Sequence, residues 1–277
     1  MGGLLYVVAT PIGNLGDITL RAVEVLKSVE LVLAEDTRRT KGLLSHLGIS
    51  CRVASCYGEK EGQRIPRVLE ILEAGEDVAL LSDAGTPTLS DPGSLLVSRV
   101  WEAGFRVVPI PGPSALLAAL MASGLGPGPF TFWGFPPRKT GELASFLKRH
   151  KGRSEKSVFY QAPGRLLVTL QVMLEYWGDR YAVVARELTK VHEEFIRGNL
   201  SSLVEHFSEN PPRGELVLVV EGAGSREEKV GGIDEREMLH RLMEGGFSVR
   251  DAARALGILF AIPRDRVYKM AQSQKED

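Results

Sequence analysis

The sequence has 277 residues, of which 44% are hydrophobic and 25% are charged, with 34 Lys and Arg against 35 Asp and Glu. These proportions are typical of globular proteins and exclude a disordered or fibrous chain. The formal net charge of −1 also excludes nucleic-acid binding through the charge of the whole chain, so any RNA site must be a local patch.

The first part of the chain alternates short apolar runs with helical patterns. The predicted strands are Leu4–Ala9, Leu31–Glu35, Arg52–Cys56, Val78–Ser82 and Arg106–Ile110, and the predicted helices are Thr19–Ser28, Arg38–Leu47, Gln63–Ala74, Ser94–Ala103 and Ser114–Ser123. Continuous apolar strands that alternate with helices indicate a largely parallel sheet covered on both faces. We therefore predict an N-terminal α/β domain over residues 1–122.

A glycine- and proline-rich run at residues 124–129 is the clearest break in the pattern. After it, the predicted strands are Phe130–Gly134, Ser157–Tyr160, Tyr181–Arg186, Glu194–Gly198 and Glu215–Glu221, with helices at Gly141–Lys151, Arg165–Tyr176 and Ser201–Phe207. These elements predict a second α/β domain over residues 123–224, with mixed strand directions. The polar segment Gly222–Ile233 is interpreted as a linker.

The last part of the chain, residues 234–277, has three short helical patterns at Glu235–Glu244, Val249–Leu256 and Arg264–Ala271. Ser248 has the residue type and position of an N-cap for the second of them. The spacing is typical of a small helical tail of the helix-turn-helix kind.

Three loops follow predicted strands at the edge of the first sheet where ligands bind in α/β proteins: residues 9–17, 82–93 and 109–115. The first loop does not match G-x-G-x-x-G, so a dinucleotide site is not supported. In the other two, Gly85 and Gly112 permit a close approach of a ligand to the backbone, and Asp83 and Asp91 can accept hydrogen bonds from a ribose or an ammonium group. The alternative is that these loops only turn the chain and that Asp91 caps a helix.

Five segments carry a resemblance to a known family: Leu5–Asp17, Ala34–Thr40, Ser82–Gly93, Ile110–Ser114 and Ala185–Lys190. On these motifs the whole chain resembles the family of ribosomal RNA small subunit methyltransferase I. That family belongs to the tetrapyrrole-methylase (class III) group of S-adenosylmethionine-dependent methyltransferases. The resemblance implies two α/β domains with S-adenosyl-L-methionine in the cleft between them, a homodimer, and methylation of the ribose 2′-oxygen of a decoding-centre cytidine in 16S rRNA.

The resemblance also implies which residues contact the cofactor. Those in the three loops are Pro11, Gly85, Thr86, Leu89, Asp91, Ser114 and Ala115, and those in the second domain, on the adenosine side, are Tyr160 and Leu188.

Methyl transfer from a sulfonium to an oxygen needs no metal, and the five histidines are scattered, so no metal site is predicted. Most of the reduction in the activation barrier can come from holding the methyl donor and the acceptor hydroxyl in line. A base or an electrostatic stabiliser near the weakly acidic hydroxyl assists the transfer. We predict Asp36, Glu187 and Lys190 as catalytic residues: Asp36 or Glu187 polarises the hydroxyl, and Lys190, with Arg38 and Arg39, holds phosphates. The alternative is that Asp36 caps the helix beginning near Thr37 and that the arginines form surface ion pairs.

A local basic stripe predicts where RNA is bound. Residues 138–156 contain seven Lys and Arg against two Glu, and Arg138 and Lys139 join Arg38 and Arg39 as predicted RNA contacts. Three nearby aromatic residues, Phe132, Trp133 and Phe135, have rings that can stack on a splayed base, although Phe132 is better suited to a buried strand position. The alternative is that the stripe is a solvated face.

Two other functions fit parts of the sequence. The same fold is compatible with a methylase of precorrin or diphthamide intermediates, and the tail is compatible with a ligand-sensing DNA-binding regulator, although its third helix offers few groove-reading side chains. Cys51 and Cys56 are interpreted as reduced thiols. Because the sequence has no signal-peptide pattern and no apolar stretch of the ~20 residues that span a membrane, we predict a cytoplasmic protein.

Overall fold

The computed structural model describes residues 2–224 and 235–260, together with Val267, Tyr268 and Ala271. The chain divides into two compact units, Met1–Gly222 and Ala223–Asp277. Within the described residues, no helix is both long and apolar enough to cross a membrane. The strands of the described residues form two five-stranded sheets, both in the first unit.

The first sheet is entirely parallel, with the strand order β3-β2-β4-β1-β5. Its strands are β1 (Leu4–Val8), β2 (Leu31–Ala34), β3 (Arg52–Ser55), β4 (Val78–Leu81) and β5 (Arg106–Ile110), and its helices are α1 (Leu20–Ser28), α2 (Thr37–His46), α3 (Glu59–Glu73) and α4 (Ser94–Glu102). Apolar residues of α1 and α2 cover one face, and those of α3 and α4 cover the other. The predicted parallel sheet with helices on both faces is therefore confirmed.

Helix α3 begins at Glu59, before the predicted start at Gln63, and includes Pro66. Gly62 and the nearby polar residues weaken the helical pattern in this first turn. A tertiary contact supports the turn, because the buried Glu61 side chain accepts a hydrogen bond from the backbone N–H of Leu96 at 2.8 Å. Such a partner in α4 cannot be inferred from local sequence.

The second sheet has mixed strand directions, as predicted, in the order β6-β7-β10-β8-β9. The strands are β6 (Phe130–Phe132), β7 (Lys156–Gln161), β8 (Tyr181–Arg186), β9 (Glu194–Asn199) and β10 (Leu216–Val220), and the helices are α5 (Ala115–Ser123), α6 (Thr140–Arg149), α7 (Leu166–Trp177) and α8 (Leu200–Glu209). Only β6 and β7 pair in parallel, and the other pairs are antiparallel. Helices α6, α7 and α8 cover one face of this sheet.

Helix α5 follows the last strand of the first sheet but packs on the second sheet. Leu116 and Ala119 are buried with Val158, Val183 and Val217 on the face opposite α6, α7 and α8. The predicted division near residue 122 placed this helix with the first sheet, whereas its packing joins it to the second. The exact division into domains stays a prediction.

The second unit contains the helices α9 (Glu235–Glu244) and α10 (Val249–Phe260). Leu239 of α9 packs against Ala252, Ala253 and Leu256 of α10, and the Ser248 hydroxyl accepts a hydrogen bond from the N–H of Asp251 at 3.2 Å, as expected for the predicted N-cap. The predicted end of this helix at Leu256 was wrong, because residues 257–260 remain helical and a single glycine costs a helix only about 1 kcal/mol. Most of the predicted third helix, Arg264–Ala271, and residues 225–233 of the predicted linker, Gly222–Ile233, lie outside the described residues.

Candidate active site

A cavity of ≈ 230 Å³ lies where the loops of the first sheet meet the second sheet. Its lining residues are Ile12, Ala84, Gly85, Thr86, Leu89, Ser90, Asp91, Ala115, Phe135, Tyr160 and Glu215. Six of the nine predicted cofactor residues are among them: Gly85, Thr86, Leu89, Asp91, Ala115 and Tyr160. The other three lie beside the lining, since Pro11 precedes Ile12, Ser114 precedes Ala115, and Leu188 is buried in the same apolar cluster as Ile12.

The three loops predicted from the sequence are joined by hydrogen bonds. Thr10 and Gly85 exchange two backbone hydrogen bonds of 2.9 and 3.0 Å, and the Thr86 hydroxyl donates to the carbonyl of Pro113 at 3.3 Å. Gly85 has φ +83, and a Cβ at this position would lie 3.2 Å from Cγ2 of Ile12. The backbone conformation therefore favours glycine, and a Cβ would fit only if the Ile12 side chain shifted by a few tenths of an ångström. The three loops therefore form one hydrogen-bonded framework beside the cavity.

Backbone strain is concentrated around this cavity. Among the described residues, the non-glycine residues with positive φ are Thr88 (φ 69), Ser90 (φ 70), Glu187 (φ 51) and Thr189 (φ 65). Each left-handed conformation costs an L-residue about 1–2 kcal/mol. Two of these residues lie in the loop after β4 and two in the loop after β8, and strain of this kind is typically retained at functional sites.

One side of the cavity is lined by Asp91, whose carboxylate is influenced by the nearby charges of Glu35 and Asp83. Burial, followed by the negative charge of Glu35 and then that of Asp83, raises the pKa of Asp91 to about 6, and a hydrogen bond with Ser82 opposes this rise. Burial, and then the charge of Asp83, also raises the pKa of Glu35. A half-buried carboxylate among other acids is stabilised in its charged form by a cation. This side of the cavity is therefore suited to a positively charged ligand.

Asp36 is the N-cap of α2. Its Oδ1 accepts a hydrogen bond from the N–H of Arg38 at 2.8 Å, and the Arg38 guanidinium lies 3.1 Å from Oδ2. Hydrogen bonds from the Arg38 side chain and backbone lower the pKa of Asp36. Arg39 lies 3.8 Å from the Asp83 carboxylate. The structure thus contains the cap and the ion pairs of the alternative interpretation, and the catalytic role of Asp36 stays a prediction.

Replacing Asp36 by asparagine separates these two roles. Asparagine is as good an N-cap as aspartate, so we expect Asp36→Asn to keep the melting temperature, whereas Asp36→Ala lowers it by about 2–4 °C. If Asp36 only caps α2, the activity of Asp36→Asn stays within a few-fold of the wild type. A loss of activity in Asp36→Asn at unchanged melting temperature would instead assign the carboxylate a catalytic role.

Glu187 and Lys190 form one network with Glu215. The Lys190 ammonium donates to Glu187 Oε1 at 2.9 Å and to Glu215 Oε2 at 3.0 Å, and the backbone N–H of Glu215 donates to Glu187 Oε1 at 2.8 Å. The hydrogen bond from Glu215 N–H, followed by that from Lys190, lowers the pKa of Glu187. Burial acts to lower the pKa of Lys190, but its two carboxylate partners outweigh burial and raise it. At neutral pH the network therefore holds an ionised Glu187 and a protonated Lys190.

Glu215 connects this network to the cavity and is the charged lining residue that sequence reasoning missed. It lines the cavity, whereas the sequence pattern assigned it to the start of the last strand without a role. Gly13 of the first loop also contacts the network, since a Cβ there would lie 2.5 Å from Cγ of Lys190. The structure brings Glu187 and Lys190 together but does not join Asp36 to them by any hydrogen bond among the described residues.

The predicted basic stripe is only partly available to a ligand. Lys148 lies over the ring of Tyr176, Arg153 pairs with Glu155, and the Lys156 ammonium donates to the carbonyl of Pro127. Lys139 is exposed and pairs with Glu142 at 3.0 Å, and Arg138 is exposed, with no ion-pair partner in the part of the chain that the structure describes. The RNA contacts of Arg38, Arg39, Arg138 and Lys139 stay predictions.

Neither cysteine forms a disulfide. Burial raises the pKa of the Cys56 thiol to about 11, which leaves it protonated and unreactive at neutral pH. Within the described residues, no group of three or more His, Cys, Asp and Glu side chains is arranged to hold a metal ion.

Comparison with known proteins extends these findings. The profile of the family "Tetrapyrrole (Corrin/Porphyrin) Methylases" matches residues 4–204. The chain is 43% identical over 278 residues to "Ribosomal RNA small subunit methyltransferase I" of Synechocystis sp., covering 99% of both proteins. It is 41% identical over 276 residues to the protein of the same name in Bacillus subtilis, covering 96% of this chain and 93% of that protein. Its fold is similar to that of the uroporphyrin-III-C-methyltransferase from Thermus thermophilus, with a TM-score of 0.55, 20% identity, and coverage of 82% of this chain and 96% of that one.

Proposed function

Because this chain belongs to the tetrapyrrole methylase family, and within it to the ribosomal RNA small subunit methyltransferase I proteins, we propose that it methylates 16S rRNA of the small ribosomal subunit. The methyl donor is S-adenosyl-L-methionine, and the acceptor is the ribose 2′-oxygen of a decoding-centre cytidine. The observation that carries the proposal is the convergence of six predicted cofactor residues on one cavity between the two sheets.

The chemistry of the cavity fits this cofactor. S-adenosyl-L-methionine supplies an electrophilic methyl group on a positively charged sulfonium. Asp91 in the cavity lining, together with the nearby charges of Glu35 and Asp83, favours such a positive charge. Ile12 and Leu89 offer apolar surface to the uncharged part of the cofactor, and Thr86 adds a polar group beside the backbone framework.

The Glu187–Lys190–Glu215 network is suited to the acceptor hydroxyl. When the hydroxyl oxygen forms its new bond to carbon, its O–H becomes strongly acidic, so a weak base is sufficient to remove the proton. Glu187, whose pKa is lowered, is a sufficiently strong base to accept the proton at that stage. The protonated Lys190 stabilises negative charge on oxygen or phosphate. Asp36, whose carboxylate already caps α2, is the second candidate for the proton acceptor.

The proposed partners are RNA and a second copy of this chain, and the proposed location is the cytoplasm. We place RNA phosphates at Arg38, Arg39, Arg138 and Lys139, which are exposed. A homodimer is supported by the outer side of α5, where Leu117 and Met121 are 55% and 85% exposed. A protein that acts on ribosomal subunits works in the cytoplasm.

The test is transfer of labelled methyl from S-adenosyl-L-methionine to small ribosomal subunits from cells that lack this gene, followed by alkaline hydrolysis. We expect one new alkali-resistant linkage at a decoding-centre cytidine, since a 2′-O-methyl group blocks hydrolysis. We also expect faster transfer to assembled subunits than to free 16S rRNA, because a protein with a net charge of −1 needs a shaped target more than a long polyanion. Cofactor binding without any transfer to either RNA would contradict the proposed acceptor.

A further inference from the structure

Three aromatic residues at and after β6 have different environments. The Phe132 ring packs edge-on against Tyr160 with centroids 4.8 Å apart, and the Trp133 indole N–H donates to the Ser157 hydroxyl at 3.2 Å. Both rings are therefore engaged inside the protein. Phe135 is 62% exposed and also lines the cavity. Of the three, only Phe135 offers ring surface to a ligand at the site.

The backbone around Phe135 is fixed on both sides. Gly134 has φ +65, its carbonyl accepts a hydrogen bond from the N–H of Tyr160 at 2.9 Å, and a Cβ on Gly134 would lie 3.1 Å from the Ser90 hydroxyl oxygen. Pro136 is buried. The turn therefore rests against both β7 and the loop after β4, and it holds the Phe135 ring 5.7 Å from the Tyr160 ring, between centroids.

We propose that Phe135 stacks on the base of the nucleotide whose ribose receives the methyl group, an inference that rests on the proposed function. In a nucleotide, the carbon bearing the 2′-oxygen is bonded to the carbon that bears the base. A ribose hydroxyl therefore cannot enter the cavity without bringing its base to the mouth. Unpaired RNA bases bind by stacking on aromatic side chains, and Phe135 stands at that mouth.

Charges near Phe135 favour an RNA strand over an uncharged apolar ligand. Arg138 and Lys139 follow Phe135 in the chain after two prolines, whose φ angles are restricted. Both cationic side chains are exposed. A strand whose base stacks on Phe135 can thus place its adjacent phosphates beside positive charge. The adenine of the cofactor is the alternative stacking partner of the Phe135 ring. Measuring the cofactor affinity of Phe135 variants distinguishes adenine from the RNA base, because only adenine stacking would make that affinity depend on the ring.

The experiment compares Phe135→Ala, Phe135→Leu and Phe135→Tyr with the wild-type protein. KM and kcat for small subunits, and Kd for S-adenosyl-L-methionine, are measured for each. We expect Ala and Leu to raise KM about 10- to 100-fold, since each loses the stacking surface, and Tyr to remain within a few-fold of the wild type. Cofactor Kd stays unchanged in all three. Phe130→Ala is the matched control, because Phe130 is a 42% exposed ring on β6 that does not line the cavity.

The possible results of these measurements contradict different parts of the proposal. A Leu variant as active as the Tyr variant would show that apolar volume suffices and would overturn stacking. A weakened cofactor affinity in Ala and Leu would assign the ring to adenine and overturn the inference while the proposed function stands. Absence of transfer by the wild-type protein itself would overturn the proposed function and, with it, the role of Phe135.

Discussion

Replacing Asp91 by asparagine is expected to make the cofactor-free protein more stable and the cofactor bind more weakly. The pKa of Asp91 is raised to about 6 by burial, with further contributions from Glu35 and Asp83. At pH 7 its charged form therefore opposes folding. Because the side chain is half-buried and partly screened by solvent, we expect Asp91→Asn to raise the free energy of unfolding by about 1–2 kcal/mol. A gain in stability at the cost of binding is typical of a functional residue.

The pH dependence of stability has a definite sign. A raised pKa in the folded state means that the contribution of Asp91 to stability is fully present below its unfolded-state pKa of 3.8 and is lost as the pH rises through about 6. The stability difference between Asp91→Asn and the wild type should therefore grow between pH 4 and pH 7. Urea unfolding at several pH values measures it.

The pH dependence of cofactor binding has the opposite direction. If the positive charge of S-adenosyl-L-methionine is held by ionised Asp91, affinity should rise about tenfold from pH 5 to pH 7 as a group of pKa about 6 ionises. Asp91→Asn should bind weakly and with little pH dependence. Glu205→Gln, on the exposed side of α8, is the control and should change neither property. Cofactor affinity that is unchanged by Asp91→Asn would remove this residue from the binding site.

Much of the fold follows from local patterns. Val78–Leu81 is buried at every position, and such continuous apolar strands are recognisable because both faces of a parallel sheet are covered. Helix α5 could not be assigned to its sheet in this way. It is apolar nearly all round, so periodicity does not reveal which side is buried, and only the tertiary structure shows that Leu116 and Ala119 pack on the second sheet.

The cofactor loops could be located from sequence because their glycines, prolines and acids occur at strand ends and match family motifs. The roles of individual charged residues could not. Asp36 was a candidate both for polarising the hydroxyl and for capping the helix, and only the structure shows its hydrogen bonds to Arg38. Glu215 was missed because its partner Lys190 is distant along the chain, and a hydrogen bond between such residues leaves no local pattern.

Replacing Gly214 by alanine should damage both stability and activity. Gly214 has φ +81, and a Cβ there would lie 2.1 Å from Oε1 of Glu187. That carboxylate is held by Lys190 and by the backbone of Glu215, so it cannot move without breaking the network beside the cavity. We expect a loss of about 2–3 kcal/mol in the free energy of unfolding and a decrease of about 100-fold in kcat.

Gly104→Ala is the matched control for backbone strain. Gly104 has φ +85, and no atom lies within 4 Å of a Cβ built there, so this variant should lose only about 1 kcal/mol and keep its activity. The difference between the two glycine variants then measures the clash with Glu187. In a Glu187→Ala background the clash is absent, so Gly214→Ala should cost no more than Gly104→Ala, as a double-mutant cycle of unfolding measurements can establish. Equal costs for Gly214→Ala with and without the Glu187 side chain would mean that the network yields to the added methyl group, and the low activity expected for Gly214→Ala would then lose its physical basis.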